Sequence, residues 1–283
     1  MRVLDSLPPS VIAALLALAT AAGVGALLAR RQPPGTARAV AGLLCDATLV
    51  GLLAARLAFV ARWWPQYVAD PAAIIFISDG GFLPWVGAAA GVAFMLWRAR
   101  QRPTLWRALS GAVATGWIVW FLAGALLTLG PDAHTTLPDA TLARLDGTPM
   151  RLAELSNRPM VVNLWATWCP PCRREMPMLA DAQHRLNDIH FVFVNQGQNP
   201  ATIRSYLREE DLQLSNVLLD PHGEVARNIG SRALPTTLFF AADGRLVDTH
   251  FGMLTAAGLA ATLQSHELTA VDTNTQSEMT RDH

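Results

Sequence analysis

Cys169 and Cys172 are separated by two prolines, a spacing that lets the second sulfur reach the first within disulfide geometry. A β-rich apolar run at 160–165 precedes the pair, and a helical stretch follows from about residue 172. The first sulfur therefore falls at a strand-to-helix junction. Unpaired backbone N–H groups and the helix dipole stabilise an anion there. Such a site lowers the thiol pKa, so Cys169 is the expected nucleophile and Cys172 the sulfur that resolves a mixed disulfide. Pro170 and Pro171 fit the first helical turn, where a missing N–H costs nothing and the ring stiffens the loop. The competing chemistry is half of a zinc site. It lacks partners, because the chain has no second C-x-x-C and its seven His are scattered without ligand spacing. No metal and no bound cofactor is expected.

The elements around the pair alternate. A buried strand at 190–195 is followed by a helical 201–209 and a short strand at 217–219. Runs at 237–240 and 246–251 are joined by Ala242-Asp243-Gly244, a hairpin signal. Residues 255–263 read as a closing helix. Upstream, Gly130-Pro131-Asp132-Ala133-His134-Thr135-Thr136 is a polar breaker that marks a boundary, with a linker at 131–137 and an α/β domain at 138–265. Residues 266–283 are polar and without apolar period, and are expected to be disordered.

The run from Val161 to Pro177, reading VVNLWATWCPPCRREMP, resembles the TlpA/ResA branch of the thioredoxin superfamily. Leu145-Asp146-Gly147 and Leu152-Ala153-Glu154-Leu155 match that branch upstream, and Ala233-Leu234-Pro235-Thr236-Thr237 matches its cis-proline loop. Strand, helix, strand, hairpin and helix follow the thioredoxin order, so the resemblance over about 137–265 implies that α/β fold and thiol-disulfide exchange with protein substrates. It further implies a cis Pro235 packed against the Cys pair, with Leu234 offering backbone groups to a peptide. Trp168 would shield the sulfurs. Glu175, one turn beyond Cys172 on the same helix face, would tune the thiols and move protons. Asn163 stands where thioredoxin proper has a buried Asp, and an amide cannot be a general base. That departure shifts the acid-base duty toward Glu175 or water. The resemblance points to a reductase rather than an oxidase.

The first half has another character. Lys is absent from the chain, and residues 1–131 carry ten Arg against four Asp, while the remainder carries twelve Arg against eighteen acids. No basic stripe emerges that would hold a nucleic acid. Hydrophobic residues make up 52% of the chain and concentrate before residue 131, so membrane lipid is the expected surrounding. Apolar runs at 10–29, 39–61, 82–97 and 108–130 are candidate spans of a helical transmembrane anchor at 1–130, since a span needs roughly 20 apolar residues. Residues 72–78 are too few to cross and read as interfacial or re-entrant. Arg30, Arg31 and Arg38 sit in the first connection, and Arg98, Arg100, Arg102 and Arg107 in the third. The second connection offers only Arg62 beside Asp70 and Asp79. Arg-rich connections face the cytoplasm, which puts both chain ends outside, in the periplasm of a diderm bacterium whose inner membrane is crossed several times. A cleaved signal sequence is disfavoured, because Arg2 is offset by Asp5 and further apolar runs follow.

Ala55-Arg56-Leu57-Ala58-Phe59-Val60, Pro71-Ala72-Ala73-Ile74-Ile75 and Asp79-Gly80-Gly81-Phe82 resemble prolipoprotein diacylglyceryl transferase over about 40–100. That enzyme continues into a His-Gly-Gly stretch where this chain has Pro84-Trp85-Val86-Gly87, so the resemblance implies a degenerate relative serving as anchor. Arg56 and Asp46 are charges inside a span and are expected to face other spans, as a structural pair of sites or a remnant lipid-headgroup site. Cys45 is a single thiol, and relaying electrons by disulfide exchange needs two, so a separate membrane electron donor is expected. Two further readings stand behind the redox one: a lipid-modifying transferase with a redox appendage, and a docking protein with an incidental Cys pair. The docking reading is disfavoured because Trp168, both sulfurs, Glu175 and Pro235 occur together.

Overall fold

The computed structural model describes residues 9–29, 35–76, 80–101, 105–128, 136–137, 140–155, 157–231 and 233–268. Arg2, Asp5, Arg30, Arg31, Asp79, Arg102, most of the 131–137 linker and the tail beyond 268 lie outside the described residues. Two compact units result, Met1–Arg62 with Phe82–Ala133, and Trp63–Gly81 with His134–His283.

The first unit is helical: α1 (Pro9–Ala29), α2 (Thr36–Arg62), α4 (Pro84–Arg100) and α5 (Trp106–Thr128). Helix α1 packs on α5, and α2 on α4. The α2–α4 contact is made by backbone, because a Cβ on Gly51 would stand 2.8 Å from the Gly87 oxygen and one on Gly87 2.7 Å from the Gly51 oxygen. Glycine at both positions permits that approach. The buried stripe of α2 runs Val40, Leu43, Ala47, Gly51, Ala55 and Phe59, at three- and four-residue steps. Leu49, Leu52, Leu53 and Leu57 lie exposed off that stripe. Thr36–Arg62 and Ala108–Leu126 are long and apolar enough to cross a membrane, and Ala13–Ala29 is apolar but shorter.

Three expectations change here. Helix α4 starts at Pro84, where proline fits the first turn, so Phe82 and Leu83 precede it. It runs on to Arg100, which puts Arg98 and Arg100 on its last turn, where the helix's negative end favours cations, rather than in a connection. Asp46 is exposed and does not face another helix of the unit, because it falls between the stripe positions Leu43 and Ala47. Arg56 is half-buried, with its guanidinium 5.8 Å from the Phe82 ring centre and 6.0 Å from that of Phe59.

In the second unit, α3 (Trp64–Ala69) is followed by a 3-10 turn at Pro71–Ile75, which overlaps the start of the short apolar run at 72–78. The unit then builds a seven-stranded sheet from β1 (Thr141–Arg144), β2 (Pro149–Arg151), β3 (Met160–Trp165), β4 (His190–Gln196), β5 (Val217–Asp220), β6 (Thr236–Phe240) and β7 (Leu246–Phe251). The strand order is β2-β1-β5-β4-β3-β6-β7. Strands β3, β4 and β5 are parallel, and β6 turns antiparallel onto β3. Helices α6 (Pro170–Arg185), α7 (Pro200–Glu209), α8 (Glu224–Asn228) and α9 (Ala256–Ser265) cover the sheet. Period-two alternation divides the core. Val161, Trp165, Phe191 and Phe193 join Met176 and Leu179 of α6 and Leu259 and Leu263 of α9, while Met160, Val162, Leu164, Val192 and Val194 join Val225 of α8. Burial on both faces explains why β3 and β4 read as continuous apolar runs. This is the thioredoxin-like α/β arrangement that the sequence resemblance implies. Thr136 bridges Arg245, and the Leu137 N–H donates to Gly244, so the end of the expected linker is tied to the β6–β7 turn.

Candidate active site

Helix α6 begins at Pro170, two residues before the sequence expectation, and Cys169 is its N-cap. A sulfur takes the place usually held by a Ser or Asp oxygen, and Cys169 Sγ accepts the Cys172 N–H at 3.3 Å. The two sulfurs are joined as a disulfide, with Cα atoms 5.3 Å apart. Cys172 is fully buried, whereas Cys169 keeps 3% of its surface, so of the two residues only Cys169 reaches solvent. Trp168 beside it is 67% exposed, and Pro170 is exposed as well. Trp168 thus stands out from the surface rather than packing into the core.

Leu234–Pro235 is a cis peptide, and Pro235 is buried. Its carbonyl accepts the Gly252 N–H at 2.9 Å. The loop is tied down by the Thr236 hydroxyl, which donates to the Ala233 oxygen at 2.7 Å and meets Ser231 Oγ at 2.7 Å.

A buried polar cluster joins β3, α6 and β6. Asn163 shares a face of β3 with Val161 and Trp165, so its side chain points at α6. Its amide donates to Glu175 Oε1 at 2.7 Å and to Thr237 Oγ1 at 3.0 Å. Glu175 Oε2 accepts the Leu254 N–H at 2.8 Å. Burial pushes the Glu175 carboxyl up to about 7, against the pull of the Leu254 and Asn163 donors. An acid poised there can carry or release a proton at neutral pH. At the rim, Arg173 lies 5.3 Å from the centre of the Tyr206 ring and pairs with Glu210. Tyr206 packs on Trp165 at 5.5 Å. Among the described residues, no group of three or more His, Cys, Asp or Glu is placed to hold a metal ion.

The structure therefore joins Asn163 to Glu175 and Cys169 to Cys172, the sulfurs lying in the core cluster on the α6 side of the sheet and Trp168 standing exposed beside Cys169. Arg56 and Asp46 belong to the other unit. Sequence reasoning missed Thr237, the Leu254 N–H, Thr167 and Gln198. The first two are 74 and 79 residues from their partners, a separation that leaves no local signal. Gln198 follows a glycine and precedes a helix cap, a pattern that marks a loop but no function.

The Redoxin family model matches residues 132–262. The chain is 25% identical over 142 residues to the thiol-disulfide oxidoreductase ResA of Bacillus cereus, an alignment covering 49% of this chain and 79% of that protein. It is 34% identical over 141 residues to the thiol:disulfide interchange protein DsbE homolog of Paracoccus denitrificans, covering 46% of this chain and 75% of that one. Among solved structures, the exposed lipoprotein thioredoxin of Streptococcus pneumoniae matches with a TM-score of 0.42 and 26% identity, over 45% of this chain and 99% of that chain.

Proposed function

Because the chain belongs to the thioredoxin-like thiol-disulfide oxidoreductases, we propose that Cys169 is the attacking sulfur and that the enzyme reduces disulfides of protein substrates. The reduced pair begins the cycle. The Cys169 thiolate attacks a substrate disulfide, forming a mixed disulfide and releasing one substrate thiolate, which takes up a proton. Cys172 then loses its proton and attacks Cys169 Sγ. That step expels the second substrate sulfur as a thiolate, which takes up a proton from solvent, and leaves the Cys169–Cys172 disulfide; the substrate has gained two electrons and two protons. Glu175, one helical turn from Cys172, is the group to receive the Cys172 proton. Trp168 and Leu234 form the surface that meets the substrate, with Pro235, Pro170, Pro171 and Asn163 in support.

One observation carries the assignment of the nucleophile: Cys169 caps the helix and keeps a solvent-facing edge, while Cys172 is fully buried. Cys172→Ser is expected to accumulate a mixed disulfide with a model peptide disulfide, and Cys169→Ser is not. Trapping by the second variant instead of the first would reverse the assignment. Direction is read from the reduction potential of the pair against glutathione. A value near about −270 mV supports the reductase and one near about −120 mV an oxidant.

The N-terminal unit serves as a multi-pass inner-membrane anchor, with the C-terminal unit in the periplasm and a separate membrane thiol-disulfide interchange protein as electron donor. The apolar lengths of Thr36–Arg62 and Ala108–Leu126 and the bias of Arg toward alternate connections and the helix ends that flank them support that arrangement. Reporters fused after Arg62 and after residue 268 are expected to read periplasmic, and one after Gln101 cytoplasmic. The family match covers 132–262 and lends nothing to the transferase resemblance of residues 40–100.

A further inference from the structure

The turn that carries Trp168 into Cys169 has one backbone bond of its own, from the Cys169 N–H to the Ala166 oxygen at 3.2 Å. Trp168 stands 67% exposed and packs little against the core. What holds the turn comes from the loop that follows β4. Gln198 Oε1 accepts the Thr167 N–H at 2.7 Å, and Gln198 Nε2 donates to the Thr167 hydroxyl at 2.7 Å. The same Gln198 oxygen accepts the Asn195 amide at 3.0 Å.

Gln198 itself has little freedom. Gly197 adopts φ +73°, a left-handed turn that bends the chain back at the end of β4, and its N–H is fixed to the Asp220 oxygen at 3.0 Å. On the other side, Asn199 caps α7 by accepting the Thr202 N–H at 2.9 Å. Asn195 is 1% exposed and pairs across the sheet with Trp165, the last residue of β3, so it sits beside the start of the turn. Its own oxygen finds no donor among the described residues. A buried amide with half its capacity unused is a cost, and the bond it does make is to Gln198.

We propose that Gln198 is a positioning residue for Cys169, clamping the Thr167–Trp168 turn so that the sulfur stays on the N-terminus of α6 when the disulfide opens. In the oxidised protein the S–S bond itself ties Cys169 to the helix. In the dithiol that tie is gone, and the N-cap position of the thiolate depends on the turn. Loss of the clamp therefore weakens the dithiol form more than the disulfide form. The proposal rests on Cys169 being the nucleophile.

The test uses the full-length chain in detergent, equilibrated with glutathione. Gln198→Ala is expected to shift the equilibrium about tenfold toward the disulfide, the effect of roughly one hydrogen-bond network lost in one form only. It also raises the titration midpoint of Cys169, followed by thiolate absorbance. Thr167→Val, which keeps the shape and removes the hydroxyl, moves both readouts the same way. The double variant adds little to Gln198→Ala, because both break one clamp. Thr167→Ser retains the wild-type equilibrium. A Gln198→Ala protein equally destabilised in both redox forms, with its glutathione equilibrium within about twofold of wild type, would overturn the proposal and leave a structural role alone. Failure of the underlying reading appears elsewhere: alkylation of the unaltered protein would then find Cys172 ionising first.

Discussion

The Asn163 amide donates to Glu175 Oε1 at 2.7 Å, so the acid of α6 is held from the β3 side by a group that cannot take its proton. The other oxygen is held by a backbone donor, the Leu254 N–H. Neither neighbour competes for the proton, and the carboxyl, pushed up to about 7 by burial, is half ionised near neutral pH. Glu175→Gln is accommodated if Asn163 turns its amide to present Oδ1, which has no partner among the described residues. The expected outcome is a loss of at least about tenfold in exchange rate at pH 7 and disappearance of the inflection near pH 7. Stopped-flow reaction with a model peptide disulfide, run from pH 5 to 9, reads both; an unaltered profile removes Glu175 from the proton path.

The same shift makes stability depend on pH. Glu175 has an unfolded-state value of 4.5 and a folded value of about 7, so the folded protein binds the extra proton through that window. Stability is then greatest below about pH 4.5 and falls as the pH rises through 7, by something on the order of 3 kcal/mol from this group. Glu175→Gln is expected to flatten that slope. Amide exchange of β3 and β6 in the oxidised full-length chain, at pH 5 and pH 8, compares the two proteins with the Cys169–Cys172 pair held as a disulfide.

The Cys pair and its junction were legible because their chemistry is local: strand, turn, cap and helix lie within the run 160–185. Helix α6 starts at Pro170, which agrees with the prolines' fit to a first turn; the helical stretch alone puts the start near residue 172. Strands β1 and β2 were not foreseen. Each buries a single side chain, Leu142 and Met150, too little for alternation to declare itself; pairing makes them strands, β1 with β5 and β2 with β1. The five-residue α8 is likewise made by context, since Asp220 accepts the N–H groups of Glu224 and Val225. In the helical unit, a charge in an apolar run was read as facing a partner. The stripe of α2 decides otherwise for Asp46, and that stripe became visible only with its packed neighbour.

Trp168 offers a separation of binding from folding. At 67% exposure its truncation opens no cavity, so Trp168→Ala is expected to leave stability within about 0.5 kcal/mol. An exposed indole beside the nucleophile does contribute area to a docked chain, and aromatic anchors dominate such contacts. KM for a protein disulfide is expected to rise about tenfold, with the rate toward a small disulfide reagent little changed. Parallel steady-state assays on the two substrates check this. An equal loss on both would mean that the ring acts on the sulfur itself.

Two glycines on α2 are expected to respond to the same substitution with opposite signs. Alanine is the better helix former by about 0.8–1.0 kcal/mol, and that gain is common to both sites. At Gly42 a new Cβ meets nothing within 4 Å, so Gly42→Ala keeps most of the gain and raises the unfolding midpoint. At Gly51 the Cβ would stand 2.8 Å from the Gly87 carbonyl oxygen, a backbone atom that can move only if α4 moves with it. Overpacking of that kind costs about 1–3 kcal/mol, which exceeds the propensity gain. Gly51→Ala is therefore expected to lower the midpoint and to part α2 from α4, while the redox equilibrium of Cys169 and Cys172 stays at the wild-type value. Thermal unfolding of both variants in the same detergent, read beside that equilibrium, decides it. A Gly51→Ala protein as stable as Gly42→Ala would mean that the two helices do not meet at these glycines.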